Sequence, residues 1–391
     1  MSVAREPIRV LVVDGSVFMR NRISMMLMKC PDFTVVGTAI NGVDAIAQAQ
    51  RLQPNVMTLD VEMPGMNGLD VLDHMMAHHP IPIIMVSAWT EEGAAVTLRA
   101  LERGAVDFIA KPMNADPSEM GMIESHLHAK VREAFQLRDR LSRIQHTDIS
   151  RNGSIDQVSP GLKKSKGARS IARPLGTGSF TTVRETSKPT QFPLVVMGAS
   201  TGGPTLLKAV IRDMPSTFPA ALLLVQHLPK YFTKVFAEQL DAVATIPIRE
   251  AQHGEVLEPG VGFVVPGDQH VRVIRHNDGS AVLALSKEPL HYPYRPSIDQ
   301  AMISAAEQFG SLTVGVVLTG MGEDGKLGCQ AIKERGGTIL AQDEATSLIY
   351  GMPRAVVEAC LADTVVSDVD ISTALMQAVD SLCVVNRIGP D

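Results

Sequence analysis

Three strings far apart in the chain carry a serine, a histidine and an aspartate: Gly198-Ala-Ser200-Thr-Gly-Gly203, Gln226-His227-Leu-Pro229 and Thr319-Gly-Met-Gly-Glu-Asp324-Gly325. That set suits a hydroxyl nucleophile activated by an imidazole that a carboxylate orients. Asp14, Asp60, Ser87 and Lys111 suit a different chemistry, phosphoryl transfer to a carboxylate. One acid attacks, a second helps hold Mg2+, and a hydroxyl and an ammonium neutralise the transferred oxygens.

Both sets need a common kind of scaffold. Pro193–Met197, Ala220–Val225 and Leu312–Leu318 are apolar runs directly before the three strings. Such runs read as strands buried on both faces of a parallel sheet. Chemistry in open α/β sheets gathers at the carboxyl ends of the strands. Gly198-Ala-Ser200-Thr-Gly202 satisfies G-x-S-x-G, and the helical residues Thr205-Leu-Leu-Lys-Ala-Val-Ile follow at once. Ser200 therefore belongs near a helix N-terminus, where backbone N–H groups and the dipole favour an oxyanion. A phosphate cradle is the rival reading, but the chain has no G-x-x-x-x-G-K-[ST] and no acid suitably placed for a ribose. Taken singly, the serine loop is a tight turn, His227 a strand-end residue and Asp324 a turn aspartate. Taken jointly, a shared sheet edge favours a triad in the order Ser200, His227, Asp324, unlike the Ser…Asp…His order of α/β-hydrolases.

The 391 residues leave room for two domains. A hydrophobic content of 45%, 20% charged residues and a net charge of −6 describe an ordinary globular protein without the basic footprint of a nucleic-acid binder. No apolar stretch is long enough to span a bilayer, and the N-terminal Met-Ser-Val-Ala-Arg-Glu-Pro has neither a basic nor an apolar signal region. Cys30, Cys329, Cys360 and Cys383 are scattered without metal or redox spacing, as expected of thiols in a reducing compartment, and a cytoplasmic setting follows. The histidines show no H-E-x-x-H spacing, and Met25-Met26-Leu-Met28 reads as adaptable core packing.

From Ile8 to about Leu141 strands (Ile8–Val13, Phe33–Ala39, Asn55–Leu59, Pro82–Val86, Val106–Ala110) alternate with helices (Ser16–Lys29, Val43–Gln50, Gly68–Ala77, Gly93–Arg103). This predicts a doubly wound sheet. The basic, Gly/Ser/Thr-rich segment beyond it reads as a tether, and the alternation resumes at Phe192. The expected organisation is a first domain at 1–141, a flexible basic linker at 142–191 and a second domain at 192–391, both domains α/β with mainly parallel sheets.

Val12-Val-Asp14, Leu59-Asp60-Val-Glu-Met-Pro64, Met85-Val-Ser87-Ala88 and Asp107-Phe-Ile-Ala-Lys111-Pro112 resemble the motifs of response-regulator receiver domains over about residues 7–125. The resemblance implies a flavodoxin-like domain with Asp60 as phosphoacceptor, and Ser87, Phe108 and Lys111 as the positions that respond to phosphorylation. Asp14, Asp60 and Glu62 would hold Mg2+. Receivers usually carry a second acid after Asp14; here it is Gly15, which should weaken the ion.

The serine, histidine and aspartate strings, with Val265-Pro-Gly-Asp-Gln-His270 and Tyr294-Arg-Pro-Ser-Ile-Asp299, are similar to those of CheB-type chemotaxis protein-glutamate methylesterases. That family likeness implies a Rossmann-like catalytic domain that needs no cofactor. Ser200, His227 and Asp324 would be catalytic, Thr201 and Met321 would lie near the oxyanion, and Arg295 would contact substrate. The implied substrates are glutamyl methyl esters, and often glutamines, on cytoplasmic helices of chemoreceptors. A chemotaxis histidine kinase would be the phosphodonor, with no nucleic-acid partner and no membrane insertion. The unphosphorylated receiver would lie across the Ser200 edge. The competing readings are a non-catalytic signalling adaptor or phosphate sink, and a nucleotide-dependent transferase.

Overall fold

Apolar runs that cannot face water on either side are satisfied here by two parallel sheets, each covered on both faces by helices. The computed structural model describes residues 6–88, 90–111, 117–151, 192–290 and 292–387, without the side chains of 117–119, 122, 139–151 and 384–387.

The N-terminal domain runs β1 (Ile8–Val13), α1 (Val17–Met28), β2 (Phe33–Ala39), α2 (Gly42–Leu52), β3 (Val56–Asp60), α3 (Gly68–His78), β4 (Ile83–Ser87), α4 (Glu91–Glu102), β5 (Asp107–Ala110) and α5 (Pro117–Arg151). Its sheet order is β2-β1-β3-β4-β5, the flavodoxin-like arrangement. Short polar side chains start its helices: Ser16, Asn41, Asn67 and Thr90 each accept a bond from a backbone N–H of the following turn. The boundary expected at residue 141 falls inside α5, which continues to Arg151. Residues 152–191 of the expected linker lie outside the described residues. In α1, Met26 is buried, but Met25 and Met28 are 62% and 61% exposed, so only part of that methionine run packs the core.

The C-terminal domain begins β6 (Leu194–Ala199), α6 (Gly203–Arg212), β7 (Ala221–Gln226), α7 (Lys230–Asp241), β8 (Ile248–Glu250), β9 (Glu255–Val256), β10 (Gly262–Val264), β11 (His270–Arg275) and β12 (Ala281–Ser286). It continues α8 (Ile298–Phe309), β13 (Thr313–Val317), α9 (Lys326–Glu334), β14 (Thr338–Gln342), α10 (Met352–Glu358), β15 (Thr364–Val366) and α11 (Ile371–Arg387). The main sheet is parallel, in the order β15-β14-β13-β6-β7-β10-β8. The chain leaves β6 towards β7 on one side and returns to β13 on the other, so β6 marks the switch point where a crevice opens. A small antiparallel sheet, β11-β12-β9, interrupts the alternation.

The two domains pack together. Ala94, Leu98, Leu101 and Phe108 of the first share one apolar cluster with Leu207, Phe232 and Phe236 of the second.

Candidate active site

Ser200 follows β6 on the turn into α6, and three bonds fix its backbone. Its N–H donates to the Thr319 carbonyl at 3.0 Å, while its carbonyl accepts from Gly203 N at 2.8 Å and Gln226 Nε2 at 2.9 Å. Gly202 turns the chain at φ 81°, a left-handed conformation that side chains resist. At Gly203 a Cβ would stand 2.0 Å from Gln226 Oε1. The sequence G-x-S-T-G-G is thus what lets the serine sit on a tight turn before a helix. Gly320 closes the other side, with an added Cβ there only 2.8 Å from Ser200 Cβ.

His227 is the first residue after β7, the strand adjacent to β6. Its side chain is 8% exposed, and its Nε2 lies 2.8 Å from Asp324 Oδ2. Nδ1 is buried with no hydrogen-bond partner. With Nε2–H committed to the carboxylate, the neutral ring carries its lone pair on Nδ1, which is therefore the basic atom. The Tyr294 ring stacks on the imidazole, centroids 4.3 Å apart and planes 11° from parallel, a contact of about 0.5–1.5 kcal/mol.

Asp324 lies in the loop between β13 and α9, and its carboxylate caps α8. Oδ2 accepts from Ile298 N at 2.8 Å, while Oδ1 accepts from Asp299 N at 3.0 Å and Ser297 Oγ at 3.1 Å. Burial pushes the carboxyl up, but the bond from His227 and those from the α8 N-terminus outweigh it and hold Asp324 below the usual range. Asp299 stands behind it, accepting from Gly325 N at 2.9 Å and Gly328 N at 2.8 Å. Its carboxyl is pushed up to about 6, first by burial and then by the neighbouring Asp324.

The supporting residues sit as follows. Thr201 is buried, and its hydroxyl donates to Asp107 Oδ2 of the N-terminal domain at 2.5 Å. Met321 is half-buried and packs against an apolar cluster that joins the β1–α5 core of the N-terminal domain to Ile349. Arg295 faces Asp268 at 3.7 Å and is 27% exposed.

At the edge of the first sheet, Asp60 is the last residue of β3 and Asp14 follows β1. Lys111 Nζ lies 2.7 Å from Asp60 Oδ1 and 3.5 Å from Asp14 Oδ2. Asp14 is fully buried and its carboxyl is raised, chiefly by burial. Its Oδ2 has no hydrogen-bond partner. Two buried carboxylates, with one oxygen held only by the Lys111 charge at 3.5 Å, are a donor set fit for a hard divalent cation. The Glu62 side chain does not join them: it is exposed, and among the described residues no three acidic, histidine or cysteine side chains converge on a metal. What Glu62 brings to this edge is its backbone carbonyl, 3.8 Å from where a Cβ on Gly15 would stand. The Ser87 hydroxyl is turned towards α4, donating to the Gly93 carbonyl at 3.2 Å.

Phe108, 5% exposed, stacks on Phe232 of α7 at 4.4 Å and 12°. Lys208–Glu102 at 2.5 Å and Lys234–Glu91 at 3.1 Å flank this contact. On α5 the His126 ring lies parallel to Tyr294, at 6.4 Å and 7°. The N-terminal domain thus reaches Thr201, which follows Ser200 on its turn, and Tyr294, which stacks on His227. Tyr294, Asp299, Asp107 and His126 had no signal of their own; the first three lie within strings noted only for their family likeness.

Comparison with known proteins supplies the last observations. Residues 195–375 match the family model described as CheB methylesterase, and residues 10–119 that described as response regulator receiver domain. The chain is 40% identical over 382 residues to a protein-glutamate methylesterase/protein-glutamine glutaminase of Pyrococcus abyssi, covering 98% of this chain and 96% of that one. It is 40% identical over 372 residues to the corresponding protein 1 of Oleidesulfovibrio alaskensis, covering 95% and 99%. Among solved structures, the Thermotoga maritima CheB methylesterase catalytic domain is 39% identical over 48% of this chain and 98% of its own, with a TM-score of 0.47. Among the described residues, no helix is long and apolar enough to cross a membrane.

Proposed function

The chain belongs to the CheB methylesterase family, and from that premise we propose that it is a receiver-controlled protein-glutamate methylesterase that also deamidates protein glutamines. The observation that carries this is the His227–Asp324 pair, whose free, buried Nδ1 stands at the switch-point edge that Ser200 shares.

In this reading Ser200 Oγ attacks the γ-carbonyl of a glutamyl side chain while His227 Nδ1 takes its proton. Asp324, held by the α8 N-terminus, fixes the ring and stabilises its charged form. Methanol leaves a methyl ester readily. Ammonia leaves an amide only when protonated, so deamidation asks more of His227 as an acid. Water then attacks the acyl-serine by the same proton relay, freeing the Ser200 hydroxyl and leaving a glutamate side chain on the substrate protein. The α6 N-terminus favours the negative oxygen of the tetrahedral intermediate. The substrates are methylated cytoplasmic helices of chemoreceptors, so the enzyme works in the cytoplasm.

Asp60 is the phosphoacceptor in this reading, served by a chemotaxis histidine kinase. Asp14 and Asp60 would hold Mg2+, which when bound neutralises phosphoryl oxygens. Lys111 already pairs with Asp60. Ser87 would leave the Gly93 carbonyl of α4 for the phosphoryl group, and α4 carries the Glu91 and Glu102 contacts to the catalytic domain. Loss of those contacts would lift the receiver from the Ser200 edge. Phosphorylation shifts this equilibrium only because the docked and free states hold Asp60 differently.

Methanol release from methylated receptors by the full chain, with and without a small phosphodonor, tests the reading. It requires stimulation by the phosphodonor and a loss of about a thousandfold or more in Ser200→Ala. Undiminished release by Ser200→Ala would defeat it.

A further inference from the structure

His126, Lys130 and Glu133 recur at helical spacing and form one strip along α5. The strip beside it, Leu127, Val131, Ala134 and Leu137, is buried in the receiver's own core. The first strip meets the catalytic site through His126 and, by way of Asp107, through Lys130. His126 lies parallel to Tyr294, which covers His227. Lys130 Nζ bonds Asp107 Oδ1 at 2.8 Å, and Asp107 holds the Thr201 hydroxyl.

Glu133 is the odd member. Its Oε2 is enclosed and has no hydrogen-bond partner among the described residues. The nearby cation, Lys130, is spent on Asp107 and on the Phe108 carbonyl instead. A glutamate serving only to hold two domains together would be paired or left in water, because enclosing an unpaired carboxylate is costly. The group stays enclosed as the neutral acid: burial, with Asp107 adding to it, pushes the carboxyl up to about 8. A neutral glutamyl γ-carbonyl is also what a methyl ester or a primary amide presents.

We propose that the His126–Lys130–Glu133 strip of α5 is an internal stand-in for the protein substrate, with the Glu133 side chain occupying the entry of the glutamyl group. The inference rests on the esterase–amidase reading above. It identifies the surface bounded by Tyr294 and Thr201 as the surface a substrate protein uses, and makes receiver and substrate competitors for it.

Glu133→Gln in the full chain tests this, because it converts the stand-in into a substrate. Ser200 Oγ would add to the carbonyl carbon of the introduced side-chain amide, the C–N bond would break, and ammonia would leave with a proton from His227. Water would then hydrolyse the acyl-serine to restore the native glutamate at that position. Peptide mass spectrometry of the unphosphorylated protein follows the exchange of the amide NH2 for OH. The expected result is deamidation of the introduced amide well ahead of the exposed Gln136 on the same helix, absent from the Glu133→Gln/Ser200→Ala double variant. In parallel, Glu133→Ala raises unphosphorylated methanol release several-fold. An introduced amide left intact by a Glu133→Gln preparation that demethylates and deamidates receptors overturns the proposal and leaves the enzymatic reading standing. Inactivity of the unsubstituted chain on receptors overturns the enzymatic reading, and the proposal with it.

Discussion

Asp107→Asn is the sharpest perturbation of the contact between the two domains. Asp107 Oδ2 accepts the Thr201 hydroxyl at 2.5 Å across the interface, while Oδ1 binds Lys130 and the Phe108 N–H within the receiver. The bonds within the receiver persist whether or not the domains are docked, so they cancel from the docking equilibrium. What changes is one buried bond, from a charged acceptor to a neutral one. Bonds to charged groups contribute about 1.5–3 kcal/mol and neutral ones about 0.5–1.5, so docking should weaken by roughly 1–1.5 kcal/mol, about five- to twelvefold. If the docked form dominates the resting protein, unphosphorylated methanol release rises by nearly that factor, while the phosphorylated rate stays where it was. A folded variant with an unchanged or lower resting rate would refute the reasoning. So would a parallel fall in the phosphorylated rate, since that would tie Asp107 to the chemistry instead of to docking.

Two further outcomes follow from the acids. At Gly15 an added Cβ meets only Pro64 Cδ at 3.5 Å and the Glu62 carbonyl at 3.8 Å, so Gly15→Asp fits without strain. It should tighten Mg2+ on the order of tenfold and speed labelling by a small phosphodonor, and unchanged Mg2+ affinity in a titration would sink the idea. Asp299 has its carboxyl raised from 3.8 to about 6 by burial and then by Asp324. It therefore costs the fold nothing below pH 3.8 and progressively more as the pH climbs to about 6, at most about 3 kcal/mol. Asp299→Asn keeps an acceptor for Gly325 and Gly328. Denaturant unfolding should find the variant stabilised at pH 8, with the advantage gone near pH 4; an advantage that grows towards acid would contradict this.

How much of this was readable beforehand depends on the range over which each feature is set. Strand ends are local. An apolar run followed by glycine or a polar residue announces where a parallel strand stops, and a parallel sheet brings all such stops to one edge. Hence Asp60 at the end of β3, Ser200 after β6 and His227 after β7 could be placed from their neighbours in the chain. Asp324, in the loop after β13, could be placed in the same way, but the groups that hold these side chains could not: the α8 N–H groups that Asp324 accepts from lie 25 and 26 residues away. The same holds for Thr201, whose hydroxyl meets an acid 94 residues distant. Glu62 shows a different limit: a sequence names the residue but not which of its oxygens turns inward, and here the side chain faces solvent while the carbonyl points to the Asp14–Asp60 edge. Glu133 shows the limit most clearly. On a 35-residue helix with a charged outer face, an acid at that position looks like solvated surface. In the folded protein it is an enclosed carboxyl without a hydrogen-bond partner among the described residues. The regulatory half of this molecule is thus written in contacts between elements that carry no mark of one another in the chain.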